Sequence, residues 1–397
     1  MTRSIKYSFC IIALLISCKV QWTEALKKGA VQNNSFEEAI EVQVLNDLII
    51  IPVTIEGTQY RFLFDTGAPF SISTQIQNQM SYKKISSSQI KDTDENKSQV
   101  DYVTVSTLEL GKIAFYNQTA FVANFESNPI LKCMKLDGII GSNLIRHCNW
   151  KIDFGNKEIT ISDLSHSNDS PNFSNIPFHY DQQYNMMVDL NVGRAKIKNL
   201  TIDYGFNRSL SLPTNVFSTL KDKEIIKKTF FEVGTSRSGI IGKPRAINRE
   251  MGILDTIKLS DVHHFNTLAK AEGSGLIGTG ILSKHLIFID WKNHTIQIDS
   301  KHPSPSNPSS FGFKMGISRE NEFYLQSIIE GSPAYNAGLS PNLKVVSVDS
   351  LDLITSSFCD YMNFAKQNPD KLSLVIENEN GNQKTYMLEK APYSSFK

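Results

Sequence analysis

The chain carries no Lys/Arg run, no CxxC pair and no HExxH pair, and its 41 Lys+Arg nearly cancel its 40 Asp+Glu to a formal net charge of +1. A nucleic-acid binder held by counterion release needs a basic face, so that class is excluded. A metal cage needs closely spaced ligands, and none is spaced for one, so neither metal nor other cofactor is expected. Five Cys in 397 residues are too few to hold a protein of this size together by disulfides alone. Beyond residue 25 no apolar run approaches the roughly 18 residues that a membrane-spanning helix requires. Extended amphipathic helical patterns are scarce as well. What is present is 40% hydrophobic and 10% aromatic content, too much for a disordered chain. The length calls for two or three domains, each with its own core.

Residues 1–25 have the layout of an export signal. Arg3 and Lys6 precede an apolar segment, Phe9 to Ile16, that is too short to span a bilayer. Leu15-Ile16-Ser17-Cys18 resembles the bacterial lipobox, in which the Cys is lipidated after cleavage and anchors the protein to a membrane. Cleavage after Ala25, in Thr23-Glu24-Ala25, is the alternative and gives a freely secreted or periplasmic protein. Both place the mature chain in the bacterial periplasm or cell envelope or outside it, where disulfides persist. Cys133 and Cys148 lie in one segment and either pair, leaving Cys359 free, or stay reduced and buried.

The chain repeats itself. Gly138-Ile-Ile-Gly141, followed by Trp150-Lys-Ile-Asp153-Phe-Gly-Asn156-Lys-Glu-Ile159-Thr-Ile161, superimposes without a gap on Gly275-Leu-Ile-Gly278 and Phe288-Ile-Asp290-Trp-Lys-Asn293-His-Thr-Ile296-Gln-Ile298. Upstream, at nearly the same spacing, Phe62-Leu-Phe-Asp65-Thr66-Gly67-Ala68 matches Leu200-Thr-Ile-Asp203-Tyr204-Gly205-Phe206. Two groups of markers at nearly one spacing indicate a duplication. Both copies consist of short Val/Ile/Thr/Phe runs punctuated by Gly, Asn and Asp, the pattern of strands. Ser- and Asn-rich Asp163 to Ile176 reads as the connection between copies, and Lys301 to Ser310, with Pro303, Pro305 and Pro308, as a linker.

An apolar strand ending in Asp, a small residue and Gly can deliver a carboxylate to the centre of a molecule. Two such turns related by a pseudo-twofold would face Asp65 with Asp203, and two touching carboxylates share one proton. One then acts as base toward a water while the other polarises a carbonyl.

Asp65-Thr66-Gly67-Ala68, with the later Ile139-Ile140-Gly141, resembles the retropepsin/pepsin family of aspartic proteases, in its single-chain, two-lobed form, over roughly residues 35–300. The resemblance implies catalytic Asp65 and Asp203, with loop support from Thr66, Gly67, Ala68 and Gly205. It implies lobes at 35–162 and 177–300, polypeptide substrates bound between them, and a monomer, since the second copy supplies the partner. Tyr204 departs from the family's Thr, whose pair cross-links the lobes beneath the dyad, and Phe206 adds bulk beside it. A non-catalytic peptide-binding or scaffold lipoprotein with a degenerate second lobe is the competing expectation. The closing hairpin of this family should fall between Ile85 and Tyr102 in the first copy, although Ser86 to Val100 is polar and lacks Gly; Gly234 to Gly242 is its counterpart in the second.

His263-His264 cannot chelate one metal ion together, because neighbours on a strand face opposite ways, and it reads as a surface or partly buried pair. Residues 310–392 resemble a PDZ domain: Ser310-Phe311-Gly312-Phe313 looks like the loop that captures a peptide carboxylate, and Glu330-Gly-Ser-Pro-Ala334 with Ala337-Gly-Leu339 like its helix segment. Asn342-Leu343 departs from the usual Gly-Asp. The resemblance implies an extended or C-terminal peptide held as an added strand, or a domain that only packs on the lobes. The expected fold is mainly β: two β-barrel lobes around a pseudo-twofold cleft, a linker at 301–309, and a small α+β domain.

Overall fold

The computed structural model describes residues 21–33, 35–165, 172–301, 303 and 307–396. Cys18 and the export signal up to residue 20 lie outside the described residues, as do parts of both linkers. The protein is mainly β, with only short helices, and no helix among the described residues is long and apolar enough to cross a membrane.

In the first stretch, the hairpin Leu48–Ile55/Thr58–Phe64 pairs Ile51 with Phe62. Gly138–Ile140 lies parallel to Phe62–Phe64 and antiparallel to the strand Ser71–Ser73. A long meander, Lys84–Lys91, Lys97–Leu110 and Ile113–Ala123, completes this sheet. The second stretch repeats the wiring. Met186–Val192 pairs with Ala195–Asp203, Leu276–Gly278 runs parallel to Thr201–Asp203 and antiparallel to Leu210–Pro213, and the meander is Ile226–Ser236, Arg245–Leu259 and Val262–Glu272.

The repeated sequence hairpins meet each other. Asn149–Asp153 pairs with Leu286–Asp290, setting Trp150 opposite Ile289 and Ile152 opposite Ile287, at the centre of a six-stranded sheet to which both stretches contribute. The recurring Asp and Asn have one local cause. Asp153 Oδ1 accepts from Asn156 N at 2.9 Å, and Asp290 Oδ1 from Asn293 N at 2.9 Å, so each pair closes the turn of its own hairpin. Above this sheet a continuous apolar core holds Phe64, Ile140, Trp150 and Ile161 from one stretch against Ile202, Tyr204, Ile277 and Ile289 from the other. The segment expected only to connect the copies contributes a strand, Phe173–Pro177, paired with Thr295–Asp299, because Ile176 has an apolar face to bury there.

The C-terminal region has its own core of Met315, Phe323, Leu325, Val345, Leu374 and neighbours. Its sheet is continuous with the second stretch, since Phe323–Ile329 pairs with Glu232 to Gly234 of Ile226–Ser236. Asn342 stands at φ +70°, a left-handed position that Asn tolerates, which accounts for its place where a Gly was expected. Neither expectation for the cysteines holds for Cys133. It is bonded to Cys359, 226 residues away, and the buried thiol left over is Cys148. Cys133 sits on the helix Pro129–Met134 and Cys359 on the helix Phe358–Ala365, and these two helices pack together.

His264 corrects the expectation of a surface or partly buried pair. It lies opposite Ile257 as Phe115 lies opposite Leu108, and so inherits a core position; it is buried, 5.0 Å from the His285 ring.

Candidate active site

Asp65 and Asp203 stand at corresponding ends of Thr58–Phe64 and Ala195–Asp203, and the two chain turns that follow face each other. Asp65 Oδ1 accepts from Gly67 N at 2.9 Å and Asp203 Oδ1 from Gly205 N at 2.8 Å. Each carboxylate lies against the glycine of the opposite turn. A Cβ on Gly67 would stand 2.7 Å from Asp203 Cγ, and one on Gly205 would overlap the Asp65 carboxylate. Neither glycine is among the residues with positive φ. The glycines are therefore required for the close approach of the partner carboxylate, not for a left-handed backbone.

The flanking glycines answer a similar demand. A Cβ on Gly141 would enter the backbone at Pro69 and Phe70, and one on Gly278 the carbonyls of Phe206 and Arg208. The hydrophobic-hydrophobic-Gly strands thus support the Asp turns from beneath: Asp65 N donates to Ile140 O at 3.0 Å, and Thr279 N to Phe206 O at 2.9 Å. One supporting residue escaped the sequence reading. Asn143, fully buried, accepts from Phe70 N at 2.7 Å and donates to Thr119 O at 3.0 Å, pinning the first turn. Its sequence signal was only a polar residue directly after Gly141-Ser142.

Thr66 makes the cross-link beneath the dyad alone. Its Oγ1 donates to Ile202 O at 2.6 Å and accepts from Tyr204 N at 3.1 Å. Tyr204 contributes only its backbone to this cross-link. Its ring is buried edge-on to Phe64 at 5.4 Å and stacked on Phe154 at 6.1 Å. The departure from Thr therefore removes half of a symmetric cross-link and adds core packing, while both carboxylates keep their places. Phe206 is half-buried, with its ring against Gly278.

Among the described residues Tyr204 Oη has no hydrogen-bond partner. A buried hydroxyl without a partner costs on the order of 1 kcal/mol or more. Tyr204→Phe is therefore expected to stabilise the protein by about 1 kcal/mol, read as a higher denaturant midpoint at unchanged slope.

The carboxylates interact electrostatically as their spacing demands. Burial raises Asp65 to about 6, against the pull of the Gly67 and Ala68 amides and of the Asp203 hydrogen bond. Burial raises Asp203 further, and the Asp65 charge adds to it. Two buried carboxyls in contact hold one proton between them.

The tips of the two long hairpins meet each other. Asp94 Oδ2, at the tip of Lys84–Lys91/Lys97–Leu110, accepts from Ser238 N at 2.6 Å and Gly239 N at 2.7 Å, and Asp92 Oδ2 accepts from Ile241 N at 3.1 Å. The polar, glycine-free character of this first hairpin now has a reason: its tip supplies the acceptors, and the glycine-bearing second loop supplies the amides. Ile240, within that loop, packs against the apolar cluster that contains Leu63 and Ile139, at whose edge Ala68 also lies. Leu63 lies on Thr58–Phe64, two residues before Asp65 in the chain.

In the C-terminal region, Gly312 stands at φ +84° and its amide is already engaged by Ser310 Oγ at 2.9 Å. Phe311 and Phe313 have their rings 6.1 Å apart.

Residues 51–144 match the aspartyl protease family. No curated relative matches the chain. The matched segment contains Asp65-Thr66-Gly67 and ends just past Gly141, and it supports reading the chain as a protease.

Proposed function

We propose that the chain is an exported aspartic endopeptidase in which two duplicated lobes, 35–162 and 177–300, share one catalytic water between Asp65 and Asp203. The observation that carries this reading is the reciprocal seating of each carboxylate on the other turn's glycine. Asp65, the more acidic of the pair, takes a proton from the water as its oxygen attacks the peptide carbonyl carbon. Asp203 donates its proton in a hydrogen bond to the carbonyl oxygen. The tetrahedral intermediate collapses as the C–N bond breaks and the amine leaves with a proton from the dyad. Extended or unfolded polypeptides are the substrates, because such a cleft reads backbone in a strand-like conformation. Residues 310–392 act as a PDZ-like module after a linker at 301–309, with peptide capture at Phe311, Gly312 and Phe313. Cys18 carries a lipid anchor in the cell envelope, and the protein works as a monomer.

The pH dependence tests the dyad. The active form has one proton, so hydrolysis of denatured casein should rise as pH climbs through about 6, where Asp65 ionises. It should fall again on the alkaline side as Asp203, raised further, ionises. A rate that peaks well below pH 4 would contradict the environment assigned to Asp65. A chain inert at every pH, and unable to bind a transition-state inhibitor of aspartic proteases, would favour the binding-protein alternative.

A further inference from the structure

Resting on that reading, we infer that the loop 237–242 is an autoinhibitory lid, and that the C-terminal region holds it shut through the Cys133–Cys359 disulfide.

The lid is seated where a substrate side chain would go. Ile240 packs against an apolar wall, the cluster that contains Leu63 and Ile139 and has Ala68 at its edge, and Leu63 and Ala68 flank Asp65 in the chain. An apolar residue of a bound peptide must displace it.

Three sets of contacts keep the lid in place. The first is the acidic tip of the opposite hairpin. Asp94 takes the Ser238 and Gly239 amides and also the Ser238 hydroxyl at 3.1 Å, and Arg245 pairs with Glu95 at 3.2 Å. The second is the helix Pro129–Met134. Its N-cap Asn128 donates to Arg237 O at 3.2 Å and Gly239 O at 2.9 Å, and Ser127 Oγ donates to Ile240 O at 3.0 Å. The third is the C-terminal region. Arg237 Nη1 donates to Ile317 O at 3.1 Å on the strand Phe313–Ile317.

The C-terminal region is bound firmly on both sides of the lid. On the side of the second stretch, Glu232 to Gly234 form a ladder with Ser327 to Ile329. Beneath it, fully buried Glu232 receives Lys314 at 2.7 Å and Ser327 Oγ at 2.7 Å from the C-terminal region, and Arg249 at 2.8 Å from its own hairpin. On the side of the first stretch the attachment is the disulfide, which ties the helix Phe358–Ala365 to Pro129–Met134, the helix whose N-cap grips the lid. The second hairpin with its lid, the capping helix, the disulfide and the C-terminal sheet thus form a closed ring of contacts. Among the described residues the disulfide is its only covalent member apart from the chain itself, and both cysteines are partly exposed.

A dithiol reductant can reach that bond. Its thiolate attacks one sulfur, a mixed disulfide forms, and its second thiol closes a cyclic disulfide. Two electrons and two protons pass to Cys133 and Cys359, which become thiols. Buried Cys148 is out of reach. Freed from the C-terminal region, the capping helix no longer fixes the lid, and the fraction of molecules with an open wall increases.

The test uses the full chain, oxidised and reduced, with two readouts: hydrogen exchange at the Ser238, Gly239 and Ile241 amides, and hydrolysis of denatured casein. Reduction, or Cys359→Ser, should remove protection of those amides while leaving the core amides of Asn149–Asp153 protected. It should raise kcat/KM about tenfold, as expected if about a tenth of oxidised molecules are open. Ile240→Asp, which cannot rest on the apolar wall, should give the same gain with the disulfide intact and make the enzyme insensitive to reduction. Unchanged amide protection on reduction would overturn the inference, and so would hydrolysis that is equal or lower when reduced. Lost protection with no hydrolysis in either state would leave the lid standing and count against the protease reading.

Discussion

Gly205→Ala should lower kcat/KM at least about a thousandfold while the protein stays folded. The added methyl group would overlap the Asp65 carboxylate, and the turn cannot retreat because Thr66 Oγ1 holds Tyr204 N and Ile202 O directly beside it. The two carboxylates must then separate, which removes both the shared proton and the site for a bridging water. Displacements of about 1 Å in such a constellation cost on the order of a hundredfold, and loss of the general base adds to that. Circular dichroism and a cooperative melt should be close to those of the unmodified chain. A Gly205→Ala protein with more than a tenth of normal activity would show that the reciprocal seating has no catalytic importance.

Asp203→Asn should abolish hydrolysis and yet stabilise the fold at neutral pH. Both carboxyls are raised in the folded protein, Asp65 to about 6 and Asp203 further, mainly by burial. A carboxyl whose folded value is raised keeps a proton that the unfolded chain has already released. Its burial therefore costs stability increasingly as pH rises from about 4 through the folded value, and costs nothing below about 4. The variant should gain about 2 kcal/mol at pH 7 and show no difference near pH 3, as measured by urea denaturation at the two pH values. An equal effect at both would mean that the gain has another cause.

The parts of the site legible in the sequence were those fixed by short stretches of chain. The Asp turns, the glycine-bounded strands beneath them and the Asp153/Asn156 and Asp290/Asn293 hairpins each depend on neighbouring residues, so their pattern recurs visibly in both copies. Tyr204 was read as an obstacle because a motif aligns side chains, whereas the backbone amide of this residue, not its hydroxyl, meets Thr66. The pairing of Cys133 was not legible. Proximity along the chain favoured Cys148, but Cys148 faces the core while Cys133 sits on a helix that packs against Phe358–Ala365. The joined hairpin tips were hidden for the same reason. An acidic turn and a glycine-rich loop look like two solvated surface segments until folding brings the carboxylates of one onto the amides of the other.

The contrast with a docking protein that merely retains a protease-like cleft rests on whether both carboxylates take part in one reaction. The direct measurement is hydrolysis of denatured casein across acidic and neutral pH by the reduced full chain and by its Asp65→Asn and Asp203→Asn variants. Each variant should fall to background while remaining as well folded as the parent. Activity that survives Asp203→Asn but not Asp65→Asn would contradict a dyad shared between the two turns.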